Sequence, residues 1–298
     1  TLYTVARNAD GSLGDVAAKF TYEGKEPGKV STIHQCLWDR KKNFLFACAQ
    51  GRINGYGQMR ALRYDHETGA FTQTDRFLSR TWDEPRHAAV HPNNRWVYMC
   101  EEKGNKVLFF RFDDEKGTFE ALQELSTVPE TVTGYSDASE VMVDPSGKFV
   151  LVSNRYTDSM AVYRIDPVTG YLRSVGFYPC LGKTPRFFCF GSNGRCYVAN
   201  EDSDTMLLLG TDNDITADWE TGTFYDNFRG VWGAIDGSLV YMELSSAEED
   251  YNLYSVPILL NGEAYNLLVV YDFTTEQWSI LGARQGIDES GMADKDLR

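Results

Sequence analysis

SEVMVDPSGKFVLVSNR, residues 139–155, reads as a strand, a tight turn and a second strand. Pro145 presets φ at the first corner of the turn, and Gly147 takes up a backbone conformation that other residues resist. The run from Phe149 to Val152 is aromatic and aliphatic, as a pleated, half-buried surface requires. The same unit recurs as HQCLWDRKKNFLFACAQ from His34, RHAAVHPNNRWVYMCEE from Arg86 and RFFCFGSNGRCYVANED from Arg186. Their turns open at Asp39, His91, Asp144 and Gly191, in steps of 52, 53 and 47 residues.

The first three units are each followed by a third strand and a further turn. These read MRALRYDHETGAF (59–71), VLFFRFDDEKGTF (107–119) and MAVYRIDPVTGYL (160–172), with Gly69, Gly117 and Gly170 at one offset. A fourth strand follows, as in LRSVGF from Leu172. Four strands per unit at a period near 50 describe the blades of a β-propeller. A β-sandwich explains the alternation, but gives no reason for a glycine turn at a fixed offset. The reading is therefore an all-β chain with propeller blades over residues 1–212, whose four repeats and one partial leave the ring incomplete unless further strands close it. The partial unit is TLYTVARNADGSL, which matches a third strand and its glycine turn. The expectation is that the chain is a processed or truncated piece, or that its end supplies the missing strands. The first repeat also departs from the pattern, with Asp39-Arg40-Lys41-Lys42-Asn43 in place of Asp-Pro-x-Gly.

After Asp212 the blade signal stops. Residues 231–244, 251–262 and 264–284 are strand-rich, and Asp236-Gly237, Asn261-Gly262 and Thr274-Thr275 are turn signals between or within them. Residues 213–298 read as an antiparallel β-rich module, with divergent closing blades as the alternative. The acidic end GIDESGMADKD (286–296) lacks calcium-loop spacing and reads as a solvated tail.

The net charge of -14 disfavours nucleic acid and anionic membrane as partners, and no apolar run is long enough to span a bilayer. An anionic ligand must then be drawn in by a local arginine cluster. The six cysteines contain no CxxC, and read as reduced, buried thiols of a cytoplasmic protein.

Blade geometry places polar residues in columns. The residue five before each turn and the residue eleven after it fall on the same rim of the central channel. The first set is His34, Arg86, Ser139 and Arg186; the second is Gln50, Glu102, Arg155 and Asp202. One step along the inner strand lie Gln35, His87, Glu140 and Phe187. Charges collected on one mouth either bind a ligand or form ion pairs that hold blades together. The Gly-rich stretch QGRINGYGQ (50–58) lacks phosphate-loop spacing and reads as a loop.

DGSLGD (10–15), PRHAAVHP (85–92), ASEVMVDPSGKFVLVSNR (138–155), SMAVYRIDPVTGYL (159–172), GKTPRF (182–187) and VANEDSDT (198–205) resemble the seven-bladed lactonase family. That family is typified by 6-phosphogluconolactonase and carboxy-cis,cis-muconate cyclase. The resemblance implies a site of one histidine, two arginines and a glutamate, matched by His34, Arg86, Glu102 and Arg155. His87, Glu140, Arg186, Gln50 and Asp202 are the supporting positions. It implies hydrolysis of a small anionic sugar lactone, above all 6-phosphogluconolactone, with Glu102 or His34 deprotonating water and no metal or other cofactor. A lactonising enzyme of the muconate type and a non-catalytic binding propeller are the alternatives.

Overall fold

The computed structural model describes residues 1–52, 55–191, 195–209, 230–235, 238–247, 251–260, 263–272, 274 and 277–285. Among the described residues there is no helix, hence none long and apolar enough to cross a membrane. The chain forms two compact units, Thr1–Phe188 and Cys189–Arg298.

In the first unit, β1 (Leu2–Arg7) and β2 (Leu13–Phe20) form an antiparallel pair, as the partial unit foretold. One blade follows as β3 (Ile33–Trp38), β4 (Phe44–Ala49), β5 (Gln58–Tyr64) and β6 (Phe71–Leu78). The next is β7 (Pro85–Val90), β8 (Trp96–Glu101), β9 (Lys106–Asp113) and β10 (Thr118–Ser126). A third is β11 (Asp137–Val143), β12 (Phe149–Arg155), β13 (Ser159–Ile165) and β14 (Leu172–Pro179). Each is an antiparallel meander in chain order, so the four-strand repeat is a propeller blade.

The second strand of each blade is buried along its whole length. Its two faces enter the layers between blades, where Phe46, Val97, Met99, Phe110 and Phe112 join the first blade to the second. Tyr98, Phe109, Val150, Val152 and Tyr163 join the second to the third. Each such side chain stabilises by roughly 1.5–3 kcal/mol relative to exposure. The fixed-offset glycines belong to these layers. At Gly170 (φ +82) a Cβ would lie 2.6 Å from Phe109 Cζ and 2.7 Å from Trp96 Cδ2, both in the preceding blade. The Gly170 carbonyl accepts a hydrogen bond from the Tyr98 hydroxyl at 2.9 Å, and Gly117 accepts one from Thr74 at 2.7 Å.

The divergent first turn has the same construction as the turn of the third blade. Asp39 Oδ1 accepts the amides of Asn43 at 2.7 Å and Phe44 at 2.8 Å. Asp144 does the same for Lys148 at 2.8 Å and Phe149 at 2.7 Å. Lys42 (φ 58) occupies the left-handed position that Gly147 (φ 73) fills in the third blade. The aspartate, more than the Pro or Gly, makes this turn.

β15 (Pro185–Phe190), within which the chain passes from one unit to the other, starts an eight-stranded sheet. It continues in chain order as β16 (Cys196–Asn200), β17 (Thr205–Leu209), β18 (Gly230–Ile235), β19 (Ser238–Ala247), β20 (Tyr251–Leu260), β21 (Glu263–Asp272) and β22 (Gln277–Gln285). The pairings from β16 to β22 are antiparallel, and β18 to β22 form the hairpin-rich meander expected after Asp212, here continuous with the strands of the fourth repeat. The expected boundary at 212–213, the turns at 236–237 and 261–262 and the tail at 286–296 lie outside the described residues. All six cysteines are free thiols; four are buried and Cys189 is partly so, but Cys36 is exposed, against the expectation of burial.

Candidate active site

A bulge recurs in the first strand of each of the three blades of the first unit. Ile33 pairs with Ala49 and Gln35 with Cys48, which leaves His34 as the extra residue. Pro85 pairs with Glu101 and His87 with Cys100, which leaves Arg86 extra. In β11 the ladder slips between Ala138 and Val141, at Ser139 and Glu140. A bulge turns a side chain out of the strict alternation of a strand. Here it turns His34, Arg86 and the Ser139–Glu140 pair out of register at equivalent places in three blades.

Glu102, one residue beyond β8, is the hub. Its Oε1 lies 2.5 Å from Arg155 Nη2, and its Oε2 lies 3.4 Å from Arg86 Nε and 3.3 Å from Arg52 Nη2. Gln50 Nε2 also donates to Oε2. Glu102, Arg86, Arg155 and Gln50 are all buried, so the cluster joins three consecutive blades away from bulk water. Burial alone would raise the Glu102 pKa, but Arg155, Arg86 and Arg52 outweigh it and hold the carboxyl below its usual value. Arg86 is pulled below the ordinary guanidinium value, chiefly by burial, with Glu102 among the groups that oppose the shift. It stays cationic, because arginine starts so high. Its Nη1 also donates to the Ser139 carbonyl at 2.5 Å.

Two histidines stand beside this hub, with ring centroids 4.9 Å apart. His87 Nδ1 faces the buried Glu140 Oε1 at 2.8 Å, and its Nε2 lies 3.4 Å from Arg86 Nη1. His34 has a buried Nδ1 with no hydrogen-bond partner among the described residues. Burial, followed by the charge of Arg86 and then His87, pulls its pKa down to about 4. His34 is therefore a neutral imidazole at pH 7.

The first unit thus brings together His34, Gln50, Arg86, His87, Glu102, Glu140 and Arg155. Arg186 is exposed, and its main-chain carbonyl accepts the Ser139 hydroxyl at 2.7 Å. Asp202 is exposed and belongs to the second unit. Four partners escaped the reading of the columns. Arg52 Nε also lies 3.2 Å from Glu84 Oε2, and Arg155 Nη2 lies 3.5 Å from Asp137 Oδ2. Lys103 Nζ is 2.9 Å from the same Asp137 oxygen. Asp137 was within reach of the repeat logic, two residues before Ser139 in the inner strand. Arg52 was not, because the Gly-rich connection that carries it has no counterpart in the other repeats.

Residues 1–217 match the family described as "Lactonase, 7-bladed beta-propeller", and the chain belongs to that family. It is 27% identical over 209 residues to a 6-phosphogluconolactonase of Bacillus subtilis, covering 69% of this chain and 58% of that protein. An uncharacterised protein of Lactococcus lactis is 34% identical over 125 residues, covering 42% of this chain and 37% of the relative. The solved periplasmic gluconolactonase of Pseudomonas aeruginosa superposes with a TM-score of 0.62 at 25% identity, over 71% of this chain and 60% of that one. The chain thus spans less than two thirds of the length of these relatives.

Proposed function

We propose that this lactonase-family chain hydrolyses a sugar lactone, above all 6-phosphogluconolactone to 6-phosphogluconate, at the Glu102 cluster. The observation that carries the reading is the pairing of opposite tasks in one place. Two buried guanidiniums are held charged and aimed by a shared carboxylate, beside a neutral histidine whose Nδ1 has no hydrogen-bond partner among the described residues. When water attacks a lactone carbonyl, its oxygen becomes an oxyanion. Arg86 and Arg155 supply preorganised positive charge for it in a site of low dielectric. Glu102, already engaged by three arginines, is a weak base; its part is to fix and balance the guanidiniums.

The proton then falls to His34. Its imidazole takes a proton from water as the oxygen–carbon bond forms, and returns it to the ring oxygen as the carbon–oxygen ester bond breaks. A base of pKa about 4 is weak, but its conjugate acid is correspondingly ready to protonate the leaving alkoxide. A strained, reactive ester held in register needs little more than this. Glu140 behind His87 keeps that second ring oriented toward Arg86.

The test is hydrolysis of 6-phosphogluconolactone above its spontaneous rate, alongside Glu102→Gln and Arg155→Ala. Both variants are expected to lose on the order of 10²–10³ in kcat, as when a donor to an oxyanion is removed. A wild-type rate equal to buffer, or to both variants, overturns the reading.

A further inference from the structure

Next to the Glu102 hub, on the side of the first blade, lies a cavity of about 160 Å³, bordered by Lys25, Arg52, Tyr56, Arg80, Trp82 and Glu84. We propose that this cavity is a subsite for an anionic group, a phosphoester or a carboxylate, at the end of the lactone remote from the scissile bond. The proposal rests on the lactonase reading and names what part of the substrate goes where.

Four observations converge on it. Arg52 spans the two places, with Nε 3.2 Å from Glu84 and Nη2 3.3 Å from Glu102. A ligand in the cavity is thus one guanidinium away from the catalytic cluster. The bordering charge is cationic, in a chain whose net charge is -14. Lys25 Nζ sits 5.5 Å from the Tyr56 ring centroid and meets no carboxylate among the described residues. Arg80 reaches Glu124 at 3.6 Å with 72% of its side chain exposed. Such an exposed pair holds by at most about 1 kcal/mol, so the guanidinium is free to turn to a ligand.

The walls carry the third observation. Trp82 takes φ +75 and remains 72% exposed. A bulky residue in the left-handed region costs roughly 1–3 kcal/mol, and strain of this kind gathers at ligand sites. Burial of the indole does not offset that cost here. The strained turn is braced against the hub itself: the Asp83 carbonyl accepts the amides of Lys103 and Gly104 at 3.1 Å, and the Glu84 carbonyl accepts that of Glu102 at 2.9 Å. Trp82 and Tyr56 both border the cavity, and aromatic residues there suit the carbon skeleton of a polyol.

The last observation is the loop. At Gly51 (φ +81) a Cβ would lie 2.3 Å from Gly57 N, and at Gly55 it would lie 2.1 Å from Ser31 Oγ. The glycines therefore let residues 51 and 55–57 of the connection approach each other and Ser31, which shapes that side of the cavity. The volume equals that of about five liquid waters, enough for a phosphate group and the carbon that bears it.

The experiment compares gluconolactone, its 6-phosphate and the corresponding glucarolactone on wild type and on the double variant Lys25→Gln/Arg80→Gln. In wild type, kcat/KM is expected to favour an anionic lactone over the uncharged one. In the double variant that preference falls about tenfold or more, mainly through KM, because charge-assisted contacts to the anion are gone. The glucarolactone tells carboxylate from phosphoester. A preference ratio unaltered by the double substitution overturns the subsite. If no lactone is turned over, the lactonase reading itself has failed, and inorganic phosphate tests the cavity separately. Millimolar phosphate then shifts the amide resonances of residues 50–52, 55–57 and 79–84 in wild type and not in the variant; no shift in wild type overturns the proposal.

Discussion

The titration of His34 can be isolated by experiment. Burial, Arg86 and His87 bring the imidazole down to about 4 from its ordinary 6.5. The unfolded chain therefore binds the His34 proton more readily than the folded one between those values. Stability from this residue is complete above pH 6.5 and is lost as pH falls toward 4. His34→Gln is expected to flatten that part of the stability–pH curve, measured by urea denaturation at a series of pH values. If His34 is the base, kcat/KM stays level from pH 8 down to 5 and falls only near 4. An acid limb centred near 6.5 in the wild type, or one that survives in His34→Gln, removes His34 from the mechanism. The candidate residues were legible because blades repeat: an Arg or a Glu at a position that is apolar in most strands stands out by alignment alone. Their ionisation was not legible, since it depends on which neighbours the bulges bring within 4 Å.

Elements show the same division between what repeats and what does not. Gly69, Gly117 and Gly170 marked the third-strand turns in sequence, and each has a positive φ. The reason two of them tolerate nothing larger is tertiary, because the aromatic rings of the preceding blade close on the turn. Gly28 offers the contrast: its φ is +76, but nothing lies within 4 Å of a Cβ there. Gly28→Ala is expected to cost about 1 kcal/mol from backbone strain alone. Gly170→Ala adds overpacking against Phe109 and Trp96, for a total of roughly 2–4 kcal/mol. Denaturant midpoints with unchanged m-values measure both, and equal losses at the two positions would refute the inter-blade account. The first turn lacked its Pro and Gly but kept Asp39, which accepts the same two amides as Asp144. The bulges at His34 and Arg86 left no such mark, because a slip of one residue changes register without changing composition.

At the scale of the whole molecule, the blades were legible in the sequence, and their expected end after Asp212 falls among residues 210–229, outside the described structure. Charge acts at this scale too. The net -14 repels an anionic lactone at long range, while Arg52, Arg86 and Arg155 attract it at short range. The two terms respond differently to salt. The Debye length is about 30 Å at 0.01 M, about 10 Å at 0.1 M and about 3 Å at 1 M. Raising salt through the first interval screens charges spread over the whole surface and leaves close, buried contacts nearly untouched. Raising it through the second begins to screen the contacts as well. KM for 6-phosphogluconolactone is therefore expected to fall between about 0.01 and 0.1 M salt and to rise again toward about 1 M. The uncharged gluconolactone feels neither term, and its KM stays level across the series. Steady-state kinetics with both lactones in one salt series decides the matter. A KM for the phosphorylated substrate that only rises would mean that the local cations outweigh the field of the whole chain even at low salt.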